Sequence, residues 1–268
     1  LRCLSVSLSY RVPPWGYDEP QTLSYAIRSD CPIGSDRGHN MLVQLRLPCD
    51  IGRHGKIEQG QSIVFAVSLG VNCQVAHQIR RATGQREAFF FDWIVTEHAA
   101  LLKATPLHFT SILESENLQL ATNRKSVLDL GSGLRFYLHD FPSKDGVIDP
   151  ETLEASGVAI RDKYLRRAER TRSLLLSGSP VVLVRYVHGP SPDVLMQQRS
   201  EIMDAFRRNY PQGNLSFLWV TDSDAVAATL GIPCAPPSPL GWTGDNAAWD
   251  RAFTFAPNLP VHRQIEGV

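Results

Sequence analysis

The fold is decided by the segment Ser62-Ile-Val-Phe-Ala-Val-Ser-Leu-Gly-Val-Asn-Cys-Gln-Val-Ala-His-Gln-Ile-Arg-Arg81. Residues 63–69 form a short apolar run rich in β-branched side chains, which predicts a buried strand. The run ends at Gly70, and a helix with Asn72 as its cap is expected to open at Cys73. A thiol at a helix start lies near unpaired N–H groups and the positive end of the helix dipole, which favour the thiolate. Cys73 is therefore either a reactive cysteine or a small core residue.

Composition and charge narrow the class of protein. The chain has 268 residues, of which 43% are hydrophobic and 20% charged, as in ordinary globular proteins. Its 27 basic and 27 acidic residues give a formal charge of zero, so no general nucleic-acid footprint is present. No apolar run reaches the roughly 18 residues that a membrane-spanning helix needs. We expect neither a nucleic-acid nor a membrane partner.

Cysteine usage bears on metal sites and on cellular compartment. The chain contains five cysteines, at positions 3, 31, 49, 73 and 234, without any C-x-x-C pair. An odd and scattered set argues against both a zinc site and a disulfide framework. The first ten residues also lack the long apolar core of a signal peptide. We therefore expect a cytoplasmic protein without a bound metal or cofactor.

The chain divides into two parts by sequence pattern. Residues 1–60 are rich in proline and glycine and contain two alternating apolar segments, at 4–12 and 42–47, which predict a β-rich N-terminal extension. Residues 61–268 alternate between apolar runs and amphipathic segments, which predicts a single α/β catalytic domain.

Within this second part the strands are expected to be buried. Residues 180–188 and 215–221 are near-continuous apolar runs, and residues 193–208 between them form an amphipathic helix pattern. Such strands, separated by helices, predict a three-layer α/β fold with a mostly parallel sheet and helices on both faces. Residues 88–96 also read as a strand, and residues 126–141 as two short strands around a glycine turn.

Several chemically competent side chains fall at the predicted strand ends. In open α/β sheets, ligands bind outside the carboxyl ends of the strands. In chain order these ends carry Cys73, Asp92, His139 with Asp140, Arg185 with His188, and Asp222. Their convergence on one edge predicts an active site.

The roles of these residues follow from chemical need. Cys73 would be the nucleophile, and His139 would accept its proton and later return it to a leaving group. A carboxylate would fix the tautomer of the imidazole. Asp92 and Asp222 both remain candidates for that role. Asp140 is set aside, because neighbouring residues on a strand point to opposite faces.

Other residues at the same edge would bind substrate. Backbone N–H groups of Cys73 and Gln74, with the side chain of Asn72, could stabilise an oxyanion. His188 could contact the substrate or be an ordinary loop residue. Arg185 lies in an apolar strand and must find a partner if it is buried, either the substrate or a structural carboxylate such as Asp92 or Asp222.

Four pieces of the chain carry a family resemblance. They are Val67-Ser-Leu-Gly-Val-Asn-Cys-Gln-Val-Ala-His-Gln-Ile-Arg-Arg81, Phe91-Asp-Trp-Ile-Val-Thr96, Tyr137-Leu-His-Asp-Phe141 and Val181-Val-Leu-Val-Arg185. With these motifs the chain resembles a family of bacterial and related proteins of unknown function that are regarded as papain-like cysteine peptidases. The resemblance implies a catalytic Cys–His pair at Cys73 and His139, and leaves residues 1–60 uncovered.

The chain also departs from the papain pattern. Papain-like enzymes are α+β proteins with the histidine on an antiparallel barrel, whereas the pattern here predicts alternating strands and helices. The piece around Cys73 is also similar to one in capsule-polysaccharide biosynthesis proteins linked to acyl transfer. Both resemblances imply the same thiolate chemistry.

Three functions follow from these expectations. The first is a cysteine-nucleophile enzyme that hydrolyses a peptide or another amide. The second is an acyl- or glycosyl-type transferase of polysaccharide biosynthesis, with Arg185 binding an anionic donor such as a nucleotide or coenzyme A. The third is a non-catalytic α/β binding module in which Cys73 is only packed. The sequence does not define the oligomeric state.

Overall fold

The structure, a computed structural model, describes residues 64–237, 241–256 and 259–260. The predicted N-terminal strand pair lies outside these residues. The strands are β1 (Phe65–Ser68), β2 (Ile94–Val95), β3 (Leu118–Leu120), β4 (Ser126–Asp129), β5 (Arg135–Tyr137), β6 (Ser143–Lys144), β7 (Val147–Ile148), β8 (Pro180–Val187) and β9 (Asn214–Thr221). The helices are α1 (Cys73–Thr83), α2 (His98–Ala104), α3 (Pro150–Leu176), α4 (Pro192–Asn209), α5 (Asp224–Leu230) and α6 (Asn246–Phe253).

A three-stranded parallel sheet carries the candidate nucleophile. Its order is β1-β8-β9, and β8 pairs with β9 over the full length of both strands. Because the three strands are parallel, their carboxyl ends meet at one edge. The residues that follow them, including Cys73, His188 and Asp222, are therefore brought to the same edge, as the sequence predicts.

Alternate residues of this sheet belong to two hydrophobic clusters. Val67, Val181 and Leu183 lie in a cluster that also contains side chains of α3 and α4. Ala66 and Val184 lie in the other, with side chains of α1 and α6. Burial of a valine or leucine side chain contributes roughly 1.5–3 kcal/mol, so both clusters stabilise the sheet.

The remaining described strands are antiparallel. A four-stranded sheet has the order β2-β5-β4-β3, and β6 pairs with β7. A mixed α/β fold is thus present, but the parallel part comprises only three strands, which differs from the mostly parallel sheet that the sequence predicts. The pairing of β4 with β5 confirms the two short strands around a glycine turn that are predicted at residues 126–141. The other short antiparallel strands carry weaker periodic signals than long buried ones, which is why the sequence does not predict their pairing.

Two local predictions also differ from the structure. Within the expected strand at 88–96, residues 90–93 form a turn, and only Ile94–Val95 pairs with a neighbour. The expected strand up to Phe141 ends at Tyr137, because Leu138–Asp140 forms a 3-10 turn. The alternation argument used to set Asp140 aside therefore does not apply.

The predicted start of α1 is confirmed, because Asn72 caps the helix. Asp149 caps α3 in the same way, directly before Pro150. Both caps accept a hydrogen bond from a first-turn N–H group, and proline at the first helical position is typical of such a start. Within the described part of the chain, none of the helices combines the length and apolar character required to cross a bilayer.

Candidate active site

A sharp backbone turn presents Cys73. Gly70 and Val71 both have positive φ angles, of 73° and 82°. A β-branched residue rarely adopts this conformation, so Val71 is a strained position between β1 and α1. A Cβ at Gly70 would lie 2.4 Å from Thr96 Oγ1, which leaves room only for glycine. The turn is thus fixed by the close packing of Gly70 against Thr96.

Asn72 connects this turn to the helix. Its Oδ1 accepts a hydrogen bond from Gln74 N at 3.0 Å. The Gln74 N–H group is therefore occupied and does not form the oxyanion donor that the sequence suggests. The Gln74 side chain is buried, and its Nε2 has no hydrogen-bond partner among the described residues. It packs under Gly244, where a Cβ would lie 1.9 Å from Nε2.

A cavity of about 620 Å³ opens beside the thiol. Two imidazoles and a half-buried cysteine share its wall, together with several aromatic side chains. The cavity is lined by Asn72, Cys73, Gln74, Lys125, Tyr137, Leu138, His139, Tyr186, His188, Pro237, Gly241 and Trp242. The parallel sheet edge supplies one part of this wall, and the turn after β5 supplies His139.

His188 belongs to a short hydrogen-bonded chain. Its Nδ1 lies 3.2 Å from Asp222 Oδ2, and its Nε2 lies 3.4 Å from Asn72 Nδ2. Asp222 Oδ1 also accepts from Gly189 N at 3.2 Å. An ionised carboxylate only accepts hydrogen bonds, so Nδ1 carries the proton and Nε2 is left with its lone pair toward Asn72.

His139 has a different carboxylate neighbour. Its Nε2 lies 3.6 Å from Asp140 Oδ2, which is close but too long for a hydrogen bond. Asp140 is buried and accepts hydrogen bonds from Tyr164 Oη at 2.7 Å and from Lys163 Nζ. Lys163 and Tyr164 thereby anchor the 3-10 turn that carries His139 onto helix α3.

The protonation states are set by burial and by local charge. Burial raises the pKa of the Cys73 thiol to about 11, and Asp140 adds to this, while the backbone N–H group of Cys73 opposes it. The expected thiolate is therefore absent at neutral pH. Burial lowers the pKa of His139, and Lys163 and Arg167 act in the same direction against Asp140. The resting pair is thus a neutral thiol and a neutral imidazole.

Asp92 is not among the residues that line this cavity. Its Oδ2 accepts from Phe89 N at 3.0 Å and lies 4.0 Å from Arg80 Nη2. Burial raises the pKa of this carboxyl to about 6, although Phe89 N–H and nearby arginines lower it. None of its described contacts reaches His139 or His188. Asp92 ties the turn before β2 to helix α1, and so the predicted catalytic role is not supported by its position.

Arg185 also lacks the carboxylate partners that the sequence suggests. It is 4% exposed, and its Nη1 donates to Leu69 O at 2.6 Å. No ion pair with Asp92, Asp222 or any other acid is found among the described residues, and its Nε has no hydrogen-bond partner there. Burial lowers its pKa to about 9, so the guanidinium remains charged at neutral pH.

Some site residues were not found from the sequence. Trp242 is 60% exposed, lines the cavity, and contacts Trp93 and His77 edge to face. It lies in a proline- and glycine-rich segment with no periodic pattern, so its aromatic side chain is the only sequence signal for a role in the site. Asp140 was visible as part of the His139-Asp140 pair but was set aside by the strand assumption.

The described residues contain no cluster of three or more histidine, cysteine, aspartate or glutamate side chains suited to hold a metal ion. Cys73 and Cys234 are both free thiols.

Comparison with known proteins gives little functional information. No family model matches the chain, and no solved structure matches it. An uncharacterized protein of Acanthamoeba polyphaga mimivirus is 23% identical over 214 residues, which covers 68% of this chain and 94% of the viral protein.

Proposed function

We propose that this protein is a cysteine-nucleophile acyl-transfer enzyme, most simply a hydrolase of amide bonds. One observation carries the proposal: the Cys73 thiol, at a strained strand-to-helix turn, shares a cavity with two imidazoles that each lie beside a carboxylate. A nucleophile, a base and a group that orients the base are the parts that acyl transfer through a thioester needs.

The resting protonation states define how the thiol is activated. A thiol with a pKa of about 11 is protonated at neutral pH and is a weak nucleophile. A neutral imidazole can accept its proton as the sulfur attacks, which is general-base catalysis rather than a preformed ion pair. The lowered pKa of His139 keeps this imidazole neutral and ready.

The acylation step uses the cavity that Cys73 and His139 share. His139 takes the proton from Cys73 Sγ while the sulfur forms a bond to the carbonyl carbon of the substrate. The carbonyl oxygen becomes an oxyanion, and the backbone N–H group of Cys73 is the donor left for it, since Gln74 N–H caps the helix. The C–N bond then breaks, and the imidazolium returns its proton to the leaving amine, which leaves a thioester on Cys73.

In deacylation His139 again acts first as a base and then as an acid. His139 accepts a proton from a water molecule as its oxygen attacks the thioester carbon, and a second oxyanion forms. The C–S bond breaks, and the imidazolium gives its proton back to the sulfur. The products are a carboxylic acid and the free thiol. No added reductant, oxidant or metal is required for either step.

Two features support His139 as the base. The resemblance to papain-like peptidases implies it, and the structure has the matching placement of a cysteine at a helix start and a histidine beside an antiparallel sheet. His188 is assigned to substrate positioning, because its Nε2 lone pair already faces Asn72 Nδ2.

A second assignment of the base rests on one specific distance. Asp222 lies within hydrogen-bond range of His188 Nδ1, at 3.2 Å, whereas Asp140 lies 3.6 Å from His139. In this assignment His188 would take the proton of Cys73, and His139 would form part of the substrate wall. The reaction class is the same in both assignments.

The proposal includes the finer expectations about fold, substrate and location. Helices α1 and α6 pack in the cluster on one side of the parallel sheet, and α3 and α4 in the other, which favours the three-layer arrangement. The substrate is a peptide, another amide or an acyl donor. The location is the cytoplasm, where a free thiol such as Cys73 stays reduced.

Site-resolved labelling tests the proposal with an internal control. A panel of amino-acid chloroacetamides would be applied near pH 7, and mass spectrometry would compare Cys73 with Cys234. Burial raises the pKa of both thiols to about 11, but Cys234 does not line the cavity. We expect Cys73 to react at least about 100-fold faster, because an imidazole takes its proton.

Matched variants identify the base. His139→Gln should lower the labelling rate at Cys73 by about 100-fold or more, and His188→Gln by less than about tenfold. The reverse pattern would transfer the base to His188. Equal labelling of Cys73 and Cys234 in the unaltered protein would reject acyl-transfer chemistry in favour of a non-catalytic binding module.

A further inference from the structure

A second and smaller cavity lies next to the strained turn. It has a volume of about 210 Å³ and is lined by Val71, Thr96, Glu97, His98, Arg185 and His188, among others. His188 lines both cavities, and Val71 precedes the two residues of the turn that line the larger one. The smaller cavity therefore adjoins the reaction centre across His188 and the turn.

Arg185 dominates the charge of this cavity. It is a buried guanidinium whose single described hydrogen bond goes to the neutral carbonyl of Leu69. A buried charge without a counterion is costly, and native proteins normally pair it. Two nearby acids are already engaged: Asp222 binds His188, and Glu201 Oε2 lies 2.6 Å from His98 Nε2. A third acid, Glu97, lines the cavity but is exposed, and no ion pair between it and Arg185 is found among the described residues. The charge of Arg185 is thus left for a ligand.

Other polar atoms in the wall are also unused. Thr96 is fully buried, and its Oγ1 has no hydrogen-bond partner among the described residues. The same holds for Arg185 Nε and for His98 Nδ1. The His98 ring is already held by Glu201 through Nε2, so Arg185 and Thr96 are the donors on which the binding rests.

We propose that this cavity is an anion subsite. It would bind a carboxylate or a phosphate group carried by the substrate whose acyl group meets Cys73. The inference rests on the proposed function for the link to Cys73, and on Arg185 and Thr96 for the binding itself. The guanidinium supplies paired N–H donors in the plane that a carboxylate or phosphate prefers.

The position of the subsite explains the strain at the turn. Gly70 and Val71 hold the backbone between the anion subsite and the thiol in one conformation. A substrate anchored by its anionic group at Arg185 would place its acyl carbon in the adjoining cavity with little remaining freedom, which favours attack by sulfur. Glu97 is exposed at the rim and opposes an anion, so it limits the affinity for free ions.

Two kinds of substrate could supply the anionic group. A carboxylate would come from an acidic amide or peptide, which is a substrate for the hydrolase reaction. A phosphate would come from an acyl donor such as a coenzyme A thioester, as the transferase requires. The preference of the subsite between the two therefore separates the two reactions.

Direct binding tests the subsite without any activity assay. The intact protein would be titrated with inorganic phosphate and, separately, with acetate, at an ionic strength held constant with NaCl. The readout is the Nε–H resonance of Arg185 in ¹H–¹⁵N spectra, assigned by its loss in Arg185→Lys. We expect a saturable shift with at least one of the two ions, and none with NaCl alone.

Variants localise the binding. Calorimetric titration should give a dissociation constant at least about tenfold weaker for Arg185→Gln, because a charge-assisted hydrogen bond is lost. Arg199→Gln is the matched control, since Arg199 lies over Trp219 and does not line the cavity, and it should bind within twofold of the unaltered protein. Glu97→Gln should tighten binding by about two- to fivefold.

Two results would contradict the anion subsite. Absence of a saturable shift with both ions, or equal binding by Arg185→Gln, would overturn the subsite. If Arg185→Gln does not fold, the isosteric Thr96→Val should still weaken binding by about threefold or more, and unchanged binding there counts against the proposal.

A final comparison separates this inference from the proposed function. Cys73→Ala should lose labelling but keep the ion affinity within twofold. Loss of ion binding alone rejects the subsite, whereas equal labelling of Cys73 and Cys234 rejects the chemistry and leaves the subsite as an anion site of a binding module.

Discussion

Asp222 Oδ2 lies 3.2 Å from His188 Nδ1, so the acid after β9 positions the imidazole after β8. The register of the two strands produces this contact: Val187 pairs with Thr221 at the last step of the parallel ladder, and the next residue of each strand is His188 or Asp222. Asp222 therefore serves His188 and not His139, which has Asp140 beside it. The cavity contains two His–Asp pairs with unequal geometry.

Asp222→Asn should change binding more than chemistry. The amide cannot hold the Nδ1 proton as a carboxylate does, so the orientation of His188 in the substrate wall is loosened. We expect the half-saturating concentration of a chloroacetamide to rise by about three- to tenfold, while the maximal inactivation rate stays within about twofold. Both quantities come from the labelling rate of Cys73 measured over a range of chloroacetamide concentrations. Asp224→Asn, an exposed change two residues along the chain, is the control for a change of net charge.

A fall of about 100-fold in the maximal rate for Asp222→Asn would contradict this split. That result would assign the base to His188, in the second arrangement described above.

The alkylation rate of Cys73 should depend on pH as its raised pKa requires. Because the thiol has a pKa of about 11, the thiolate fraction rises about tenfold for each pH unit in the neutral to mildly alkaline range. The rate of modification by iodoacetamide, which is small and poorly matched to the cavity, should follow this rise between about pH 7 and pH 10. Peptide mapping by mass spectrometry would report Cys73 separately from the other cysteines.

Asp140 supplies the second part of this prediction. Its charge raises the pKa of Cys73, so Asp140→Asn should lower that pKa and speed alkylation at about pH 8 by a few-fold. Asp162→Asn, an exposed change on the same helix as Lys163, should leave the rate unaltered. A slower reaction in Asp140→Asn would mean that the carboxylate activates the thiol instead.

The sequence contained the local part of this site. A cap residue, a short apolar run and a cysteine sufficed to predict the β1–α1 turn, and the strand ends at Cys73, His188 and Asp222 were correctly brought together. These signals act within a few residues of each other, or through the simple rule that parallel strands end at one edge.

The partners of the two histidines depended on long-range geometry. Which carboxylate meets which imidazole is decided by strand register and by a 3-10 turn at Leu138–Asp140, and neither has a periodic signature. The state of the Cys73 thiol likewise depends on burial and on Asp140, which outweigh the helix start. Sequence alone contains no measure of either quantity.

Two substitutions in the turn before Cys73 should change the free energy of unfolding in opposite directions. Gly70→Ala places a Cβ 2.4 Å from Thr96 Oγ1 at a φ of 73°, so we expect a loss of about 1–3 kcal/mol in the free energy of unfolding. Val71→Gly relieves a β-branched residue at a φ of 82°, and it should be neutral or stabilising by up to about 1 kcal/mol. Urea unfolding followed by circular dichroism measures both.

Val194→Gly provides the comparison for Val71→Gly. Val194 lies exposed in the first turns of α4, at an ordinary helical φ, so the added backbone freedom should destabilise the protein by about 0.5–1 kcal/mol. A similar loss in Val71→Gly would show that the turn is not strained at this position.

Asp92 should make stability depend on pH. Its folded pKa is raised to about 6, above the value of about 3.9 in an unfolded chain, so the folded state binds the proton more tightly. The stabilisation is complete below about pH 4 and is lost as pH rises through about 6. The free energy of unfolding should therefore fall by up to about 3 kcal/mol across this window from Asp92 alone.

Asp92→Asn isolates that contribution. The amide oxygen can still accept from Phe89 N, while the titratable proton is removed, so the pH dependence of stability between about pH 4 and pH 6.5 should become less negative than in the unaltered protein. Urea unfolding at closely spaced pH values gives the difference curve, with Asp162→Asn as an exposed control. A difference curve of the opposite slope would mean that Arg80 and its neighbours stabilise the ionised carboxylate more than burial destabilises it, and that Asp92 is held as a charged partner of helix α1.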